Sequence, residues 1–258
     1  MSKSKAKPFL KAKTPRTYAT GGGNATALGV NFQQSLGAIL GAWMLTETTV
    51  DQRLRLGGAK IVELRLETEA PLDDVLAKTS EGGFISMQAK NNLSLSKVIT
   101  SEFGKTVEQI VRQWRLCRDG NGDKGWNRPV DTMRDRFVIA VGPDSPATTR
   151  QHLMRGLEAR RQIGPPILTK AQATALGNFD TCVKLAWGTV TTETITDVVI
   201  REIGLLTFVY TIDPAGHDRA AIIAALGSAV ANVSDAASVL NLLERVSGDL
   251  MGSVSYTH

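Results

Sequence analysis

The stretch LDDVLAKTSEGGFISMQAK, residues 72–90, predicts a β-hairpin. Two strands are expected, over residues 74–77 and 84–90, and the tetrapeptide SEGG at residues 80–83 lies between them. Consecutive glycines supply the positive φ angles that hairpin turns require. The rest of the predicted sheet is arranged around this hairpin.

The second strand of the hairpin has two chemically different faces, because side chains alternate along a strand. Ile85, Met87 and Ala89 occupy one face, and their apolar character suits burial. Gln88 and Lys90 point to the opposite side. The alternation therefore predicts that an amide and a lysine project together from the end of this strand.

Two carboxylates, Asp73 and Asp74, begin the partner strand, so one of them can face Gln88 and Lys90 across the ladder. Carboxylate and amide oxygens are suitable ligands for a hard cation. Such a cation polarises a phosphate and lowers the pKa of a bound water, while a nearby lysine offsets charge in the transition state. The pattern predicts phosphodiester hydrolysis, with weakened metal binding because Gln88 replaces an acid.

The elements around the hairpin give an α/β pattern. Apolar residues at helical spacing predict helices, and alternating or short apolar runs predict strands. The expected helices cover residues 32–46, 104–118 and 147–161, and the expected strands cover residues 60–69 and 136–141. Gly37 and Gly41, four residues apart in the first helix, predict the close approach of another element.

After the sequence GPP at residues 164–166 the pattern becomes mostly helical. One short strand is expected at residues 182–187, and helices are expected over residues 194–209 and 217–251. The predicted fold is a mixed α/β sheet flanked by helices, with a mostly helical C-terminal extension. Its predicted parts are a flexible basic leader, a core and the extension, over residues 1–23, 24–163 and 164–258.

Composition argues against several classes of protein. No apolar run approaches the ~20 residues of a bilayer-spanning helix, and the Lys-rich N-terminus lacks the apolar segment of a signal peptide. The two cysteines lie far apart and, with three histidines, form no zinc-binding pattern. These features predict a cytoplasmic protein with no membrane partner.

The net charge of +5 comes from the leader rather than from the body of the chain. Six of the 30 basic residues precede the first acidic residue, Glu47, and the remaining 24 are balanced by 25 acidic residues. A basic leader adds sequence-independent attraction to phosphates. The charge therefore does not by itself predict a basic surface on the folded part.

The amino-acid sequence around the hairpin resembles that of a known superfamily. ETEAPLDDVLAKTSEGGFISMQAKNNLSLS, followed by FGKTVEQIVRQW, is similar to PD-(D/E)xK restriction-endonuclease-like proteins in the variant with Gln-x-Lys. It resembles Mrr-type endonucleases and, more closely, the N-terminal nuclease effector domains of bacterial anti-phage proteins that are fused to STAND-type NTPases or activated by nucleotides. The resemblance covers about residues 24–145.

By this resemblance, the hairpin holds the catalytic residues. It implies that Asp74 or its neighbour Asp73 binds the metal, that Gln88 is the ligand from the strand, and that Lys90 is the catalytic lysine. The implied cofactor is Mg²⁺, for which Mn²⁺ can substitute.

Further candidate residues come from the flanking elements. The resemblance implies an acidic residue on the first helix, where this chain has glutamine instead, so Gln34 is the candidate and Glu63 from the next strand its substitute. Lys90, Asn91 and Arg112 are the candidates for contacting DNA.

The resemblance implies a metal-dependent endonuclease that cleaves double-stranded DNA with little sequence specificity, as the effector domain of an anti-phage system. Its implied partners are DNA, a sensor or ATPase module in the same system or polypeptide, and further copies of itself. Two other classes remain open: a catalytically weak DNA-binding module on a degenerate nuclease fold, and an oligomerisation or scaffold protein in which the helical half is the working part.

Overall fold

The computed structural model of the chain describes residues 22–165, 167–230 and 233–254. Within them, a five-stranded mixed sheet is flanked by helices, and the C-terminal part is mostly helical. The predicted α/β class is thereby confirmed. Most of the predicted leader lies outside the described residues, but Gly22 and Gly23 already belong to the first helix.

The described residues form seven α-helices and five strands. The helices are α1 (Gly22–Leu45), α2 (Glu102–Asp119), α3 (Met154–Arg160), α4 (Lys170–Val190), α5 (Asp197–Leu206), α6 (His217–Gly227) and α7 (Val233–Val254). The strands are β1 (Ile61–Leu66), β2 (Val75–Thr79), β3 (Phe84–Lys90), β4 (Arg136–Val141) and β5 (Thr207–Thr211). A short 3₁₀-helix (Gln52–Leu54) follows α1, and a π-helix (Thr148–Leu153) precedes α3.

The strands follow one another across the sheet in chain order. β1, β2 and β3 are antiparallel neighbours, whereas β3, β4 and β5 run parallel. α2 is the crossover between β3 and β4. The carboxyl termini of β3, β4 and β5 therefore lie at the same end of the sheet as the first residue of β2.

The predicted hairpin is present as β2 and β3. Gly82 in its turn has φ 73°, as expected, but Gly83 does not have a positive φ. Gly83 is required for a different reason: a Cβ at this position would collide with the backbone carbonyl of Arg134. The turn thus uses one glycine for its conformation and the other for close packing.

The two faces of the sheet carry separate apolar cores. Ile85, Met87 and Ala89 are buried in one core with residues of α1, α6 and α7. Phe137 and Ile139 of β4 face the other core, which α2, α4 and α5 cover. Because side chains alternate along β3 as predicted, Gln88 and Lys90 lie on the face of the sheet opposite to α1.

α1 packs directly on α7 through its glycines. A Cβ at Gly37 would lie 2.9 Å from Ser247 Oγ, and one at Gly41 would lie 3.6 Å from a methyl carbon of Leu243. The predicted close approach at these two glycines is confirmed. It joins the N-terminal helix to a helix of the C-terminal part.

Two predictions for the C-terminal part are wrong. Residues 182–187 belong to α4, where Cys182, Val183, Ala186 and Trp187 are buried at helical spacing. Residues 207–209 begin β5 rather than ending a helix, because they extend the sheet beside β4 and are buried there.

The extension supplies β5, and the division at residue 164 therefore does not separate the sheet from the helices. Among the described residues, no helix combines the length and apolar character that crossing a membrane demands.

Candidate metal-binding site at the β2–β3 hairpin

Asp74 and Gln88 meet at the open end of the hairpin. The pairing of Val75 with Met87 places the residues before and after them opposite each other. Gln88 Nε2 donates a hydrogen bond to Asp74 Oδ2 at 2.5 Å, and the backbone N–H of Ala89 donates to the same oxygen at 2.6 Å. Asp74 is 5 % exposed and Gln88 3 % exposed. The structure therefore joins these two predicted residues in one buried pair.

Glu67, which had not been predicted, adds a carboxylate from the end of β1. Its backbone N–H donates to the carbonyl of Asp74 at 3.2 Å, so β1 and the start of β2 are joined at this point. The residue has φ 48°, a left-handed conformation that ends the regular strand. Gln33 of α1 donates a hydrogen bond from Nε2 to Glu67 Oε1 at 3.3 Å. The first helix therefore reaches this end of the sheet through Gln33.

The two further candidates from α1 and β1 lie elsewhere. Gln34 packs against Gly248 of α7, where a Cβ would lie 2.6 Å from the amide nitrogen of Gln34. Successive helical residues differ by about 100° in direction, so Gln33 and Gln34 contact different neighbours. Glu63 forms an ion pair with Arg65 at 2.6 Å and lies about 13 Å along the strand from Glu67.

The packing of Gly37 shows why Gln33 rather than Gln34 reaches the end of β1. Gln33 and Gly37 are four residues apart and share a helix face. A Cβ at Gly37 would lie 3.2 Å from a methyl carbon of Leu66, the last residue of β1. The helix face that carries Gln33 is therefore the face that meets the end of β1.

Lys90 lies half-buried at the end of β3, close enough to the hairpin carboxylates to act on them electrostatically. Burial raises the pKa of Asp73 and of Asp74, and the positive charge of Lys90 opposes this rise. The pKa of Glu102 at the start of α2 is lowered mainly by Lys105, with a smaller contribution from Lys90. The carbonyl of Asn91, the next residue, accepts a hydrogen bond from the N–H of Gly142 at 3.1 Å. Lys90 thus lies next to the hydrogen bond that joins the residue after β3 to the residue after β4.

Arg112 is not brought to this site. It forms an ion pair with Glu108 at 2.6 Å on the exposed side of α2. The next residue, Gln113, contacts the Leu72 backbone, so α2 passes beside the start of β2 at this point. The side chain of Arg112 itself is exposed and reaches Glu108 rather than a residue of the hairpin.

Gln113 of α2 supports the loop that leads into the aspartates. Its Oε1 accepts a hydrogen bond from the backbone N–H of Leu72 at 3.4 Å, and its Nε2 donates to Cys117 Sγ at 3.4 Å. Gln113 is only 1 % exposed. The helix and the start of β2 are thus held together by a buried polar contact.

The site has an excess of carboxylates. Burial raises the pKa of Asp74 to about 7; the negative charges of Asp73 and Glu67 add to this effect, whereas the Ala89 amide and Lys90 oppose it. Burial also raises the pKa of Asp73, against the influence of Lys90. The pKa of Glu67 is raised by burial and by Asp73, against the hydrogen bond from Gln33.

Two acceptor oxygens of this site lack hydrogen-bond partners in the described part of the chain. They are Asp73 Oδ1 and Gln88 Oε1, and both are buried. Buried polar atoms normally have a partner, so these two oxygens together with the surrounding negative charge suit a hard cation. Among the described residues, no three Asp, Glu, His or Cys side chains form a metal-binding group. A cation here would therefore need the Gln88 amide oxygen as one of its ligands.

Comparison with models of protein families, with curated proteins and with solved structures gave no match.

Proposed function

We propose that the chain is a Mg²⁺-dependent endonuclease that cleaves double-stranded DNA with its hairpin site. One observation carries this proposal: the partnerless buried oxygens Asp73 Oδ1 and Gln88 Oε1 belong to the chain neighbour and the hydrogen-bond partner of Asp74, and the charges of Glu67 and Lys90 act on the same carboxyl group. Oxygen ligands, surplus negative charge and an adjacent lysine are what metal-assisted phosphodiester hydrolysis requires.

Each side chain has a defined role in this proposal. Asp74, Asp73 and Gln88 would hold the cation, with Asp74 fixed in place by the Ala89 amide. When bound, Mg²⁺ supplies a polarised phosphate oxygen and a water of lowered pKa, and Mn²⁺ can do the same. Lys90 orients the attacking water and offsets the negative charge that develops on the phosphate oxygens. Glu67 adds negative charge near the cation.

The proposed setting is the cytoplasm, where the chain would serve as the nuclease effector of an anti-phage system together with a sensor or ATPase module. Self-association is part of the proposal. It is supported by Leu242, Val246 and Leu250, which form a row at helical spacing on α7 and are 43–52 % exposed. Exposed apolar rows of this kind are suited to packing against another chain.

A DNA-binding module without catalysis is the second candidate, and the amide at position 88 favours it. Gln88 donates a hydrogen bond to Asp74, which occupies one oxygen of the carboxylate that would hold the cation. A site with one acid fewer binds Mg²⁺ more weakly. Binding of DNA without cleavage would be the result.

Cleavage of supercoiled plasmid DNA tests the proposal. We expect cleavage with Mg²⁺ or Mn²⁺ and none with EDTA. Lys90→Ala and Asp74→Asn should each reduce the rate by about 100-fold or more, because each removes a group that acts in the transition state. Lys78→Ala and Glu81→Gln are the matched controls, since both residues are exposed on the same hairpin and should leave the rate unchanged.

Equal rates for wild type, Lys90→Ala and Asp74→Asn would overturn the nuclease proposal. Fluorescence anisotropy with a labelled duplex separates the second candidate: retained DNA affinity without cleavage in either metal would establish it. Light scattering over a dilution series measures self-association, which Val246→Asp should weaken by placing a charge in the apolar row.

A further inference from the structure

A cavity of about 270 Å³ lies beside the edge strand β5, away from the hairpin site. It is far larger than the roughly 15 Å³ that one water needs by the same measure. The 3₁₀-helix, the π-helix, α3 and β5 contribute its walls. The residues that line it are Arg53, Arg150, Met154, Arg155, Glu158, Arg161, Phe208, Val209 and Thr211.

Four arginines and one glutamate are the charged residues of this lining. Two of the arginines have carboxylate partners: Arg53 pairs with Asp51 at 2.7 Å, and Arg155 pairs with Glu158 at 3.0 Å. Both of these arginines are at least half exposed, so their ion pairs are screened by solvent. The guanidinium group of Arg155 remains available to a stronger anion, whereas that of Arg53 is also held by the Thr211 carbonyl, the Tyr210 hydroxyl and a second carboxylate, Asp218 at 3.7 Å.

The other two arginines donate their hydrogen bonds only to backbone carbonyls. Arg150 donates from Nε to the carbonyl of Ser145, and Arg161 donates to the carbonyls of Leu205 and Gly204 at 3.0 and 3.3 Å. Neither forms an ion pair with a carboxylate of the described residues. Carbonyl oxygens satisfy the N–H groups but carry no full negative charge, so Glu158, which also pairs with Arg155, is the lining carboxylate that partly offsets the charge of Arg161.

Positive charge accumulates further behind this lining. The guanidinium carbon of Arg161 lies 3.7 Å from the centre of the Phe208 ring, and that of Arg136 lies 5.0 Å from the same centre. Burial lowers the pKa of Arg161, and the charges of Arg136 and Arg55 lower it further. Guanidinium groups stay protonated at neutral pH, so this repulsion is not relieved by loss of a proton.

We propose that the β5 cavity is a binding site for a phosphate-bearing anion with two linked phosphoryl groups. Guanidinium forks match phosphate oxygens in geometry and form charge-assisted hydrogen bonds with them. The volume accommodates more than a single phosphoryl group, and Met154 and Val209 provide an apolar wall for an attached organic group.

The position of the cavity leaves two sources for these phosphates. In the sheet, Lys90 pairs with Val141, and Val141 pairs with Thr211, which lines the cavity. Two strand spacings, about 10 Å, therefore separate the hairpin site from this wall. A free diphosphate compound and the backbone of a nucleic acid that also reaches Lys90 both present anionic phosphate oxygens, from directly linked phosphoryl groups in the first and from neighbouring phosphodiesters joined through a sugar in the second.

Calorimetric titration of the metal-free full chain with inorganic pyrophosphate, at constant ionic strength, tests the proposal. We expect saturable binding with one site per chain. The double variant Arg150→Gln, Arg155→Gln should weaken it by about tenfold or more, because two charge-assisted contacts are lost. Arg65→Gln is the matched control: Arg65 is also a half-exposed, ion-paired arginine, but it lies on β1 at the opposite edge of the sheet, and its loss should change the affinity less than twofold.

The same two variants in a titration with a duplex identify the source of the phosphates. A tenfold loss of duplex affinity in the double variant assigns the cavity to the nucleic acid backbone, and an unchanged duplex affinity assigns it to a free diphosphate compound. Asp74→Asn should bind pyrophosphate like wild type, because Asp74 does not line the cavity. Pyrophosphate binding therefore tests the cavity independently of DNA cleavage at the hairpin site. Absence of saturable pyrophosphate binding, or equal affinities in the double variant and Arg65→Gln, overturns the inference. If circular dichroism shows that the double variant does not fold, the single variant Arg150→Gln replaces it in both titrations.

Discussion

The hairpin site and the β5 cavity are built on one sheet with opposite charge. The hairpin site has three carboxylates around one lysine, and the cavity has four arginines with one glutamate. A buried carboxyl group can neutralise itself by taking up a proton, whereas a guanidinium group cannot lose one near neutral pH. The hairpin site therefore responds to pH without a ligand, while the positive charge of the cavity can be neutralised only by an anion.

The pH dependence of stability should show the largest effect of this difference. The pKa of Asp74 is raised to about 7, above its value in the unfolded chain, so the folded protein binds more protons between about pH 4 and 7. Stability of the metal-free protein should therefore fall as pH rises through this range, by up to about 4 kcal/mol, and Asp74→Asn should remove most of that loss. Urea denaturation at several pH values measures it.

Equal pH slopes in wild type and Asp74→Asn would show that Asp74 does not cause the pH dependence of stability. Arg150→Gln is the control from the other side of the sheet. It should keep the wild-type slope, because it leaves the carboxylates of the hairpin site unchanged.

Replacing Gln88 by a carboxylate should change the stability of the metal-free protein by a smaller amount than the pH effect at Asp74. Gln88→Glu would bring two carboxyl groups to hydrogen-bonding distance, so the metal-free protein should lose about 2 kcal/mol of stability at pH 8. Mg²⁺ should bind roughly tenfold more tightly, because a charged oxygen replaces a neutral one.

Thermal denaturation with and without Mg²⁺ measures both changes at position 88. Lower stability combined with unchanged Mg²⁺ affinity would show that this residue does not face the cation.

The smallest expected effect concerns the contact that positions the aspartates. Gln113→Ala should cost about 1 to 2 kcal/mol, because it leaves the buried N–H of Leu72 without its acceptor. Gln109→Ala, a half-buried glutamine on the same helix, is the control and should cost less. Urea denaturation gives both values. Hydrogen exchange at Leu72 should accelerate only in Gln113→Ala, and an unchanged exchange rate would contradict the role of Gln113.

Much of the hairpin site could be read from local sequence. The two-residue period of a strand places Gln88 and Lys90 on one side, and a tight turn brings Asp74 opposite Gln88. Both relations involve residues close in the chain. The close packing of α1 at Gly37 and Gly41 was predictable in the same way, although its partner α7 was not.

The missed residues depend on relations between distant segments. Glu67 reaches the site through the register of β1 against β2, and Gln33 reaches it through the rotation of α1 about its axis. The candidate from the sequence, Gln34, is the next residue of the same helix and contacts α7. Neither the register nor the rotation is specified by residue types near these positions.

The same distinction holds for the molecule as a whole. Local periodicity and turn chemistry specify the hairpin, the crossover helix α2 and the buried strand β4, because their apolar patterns are set by neighbouring residues. Packing between remote segments assigns residues 207–211 to the sheet, residues 182–187 to α4, and four scattered arginines to one cavity. These outcomes depend on which surfaces are left uncovered when the chain has folded. The hairpin site combines both kinds of information, with an aspartate, an amide and a lysine fixed locally and a further carboxylate supplied by the fold.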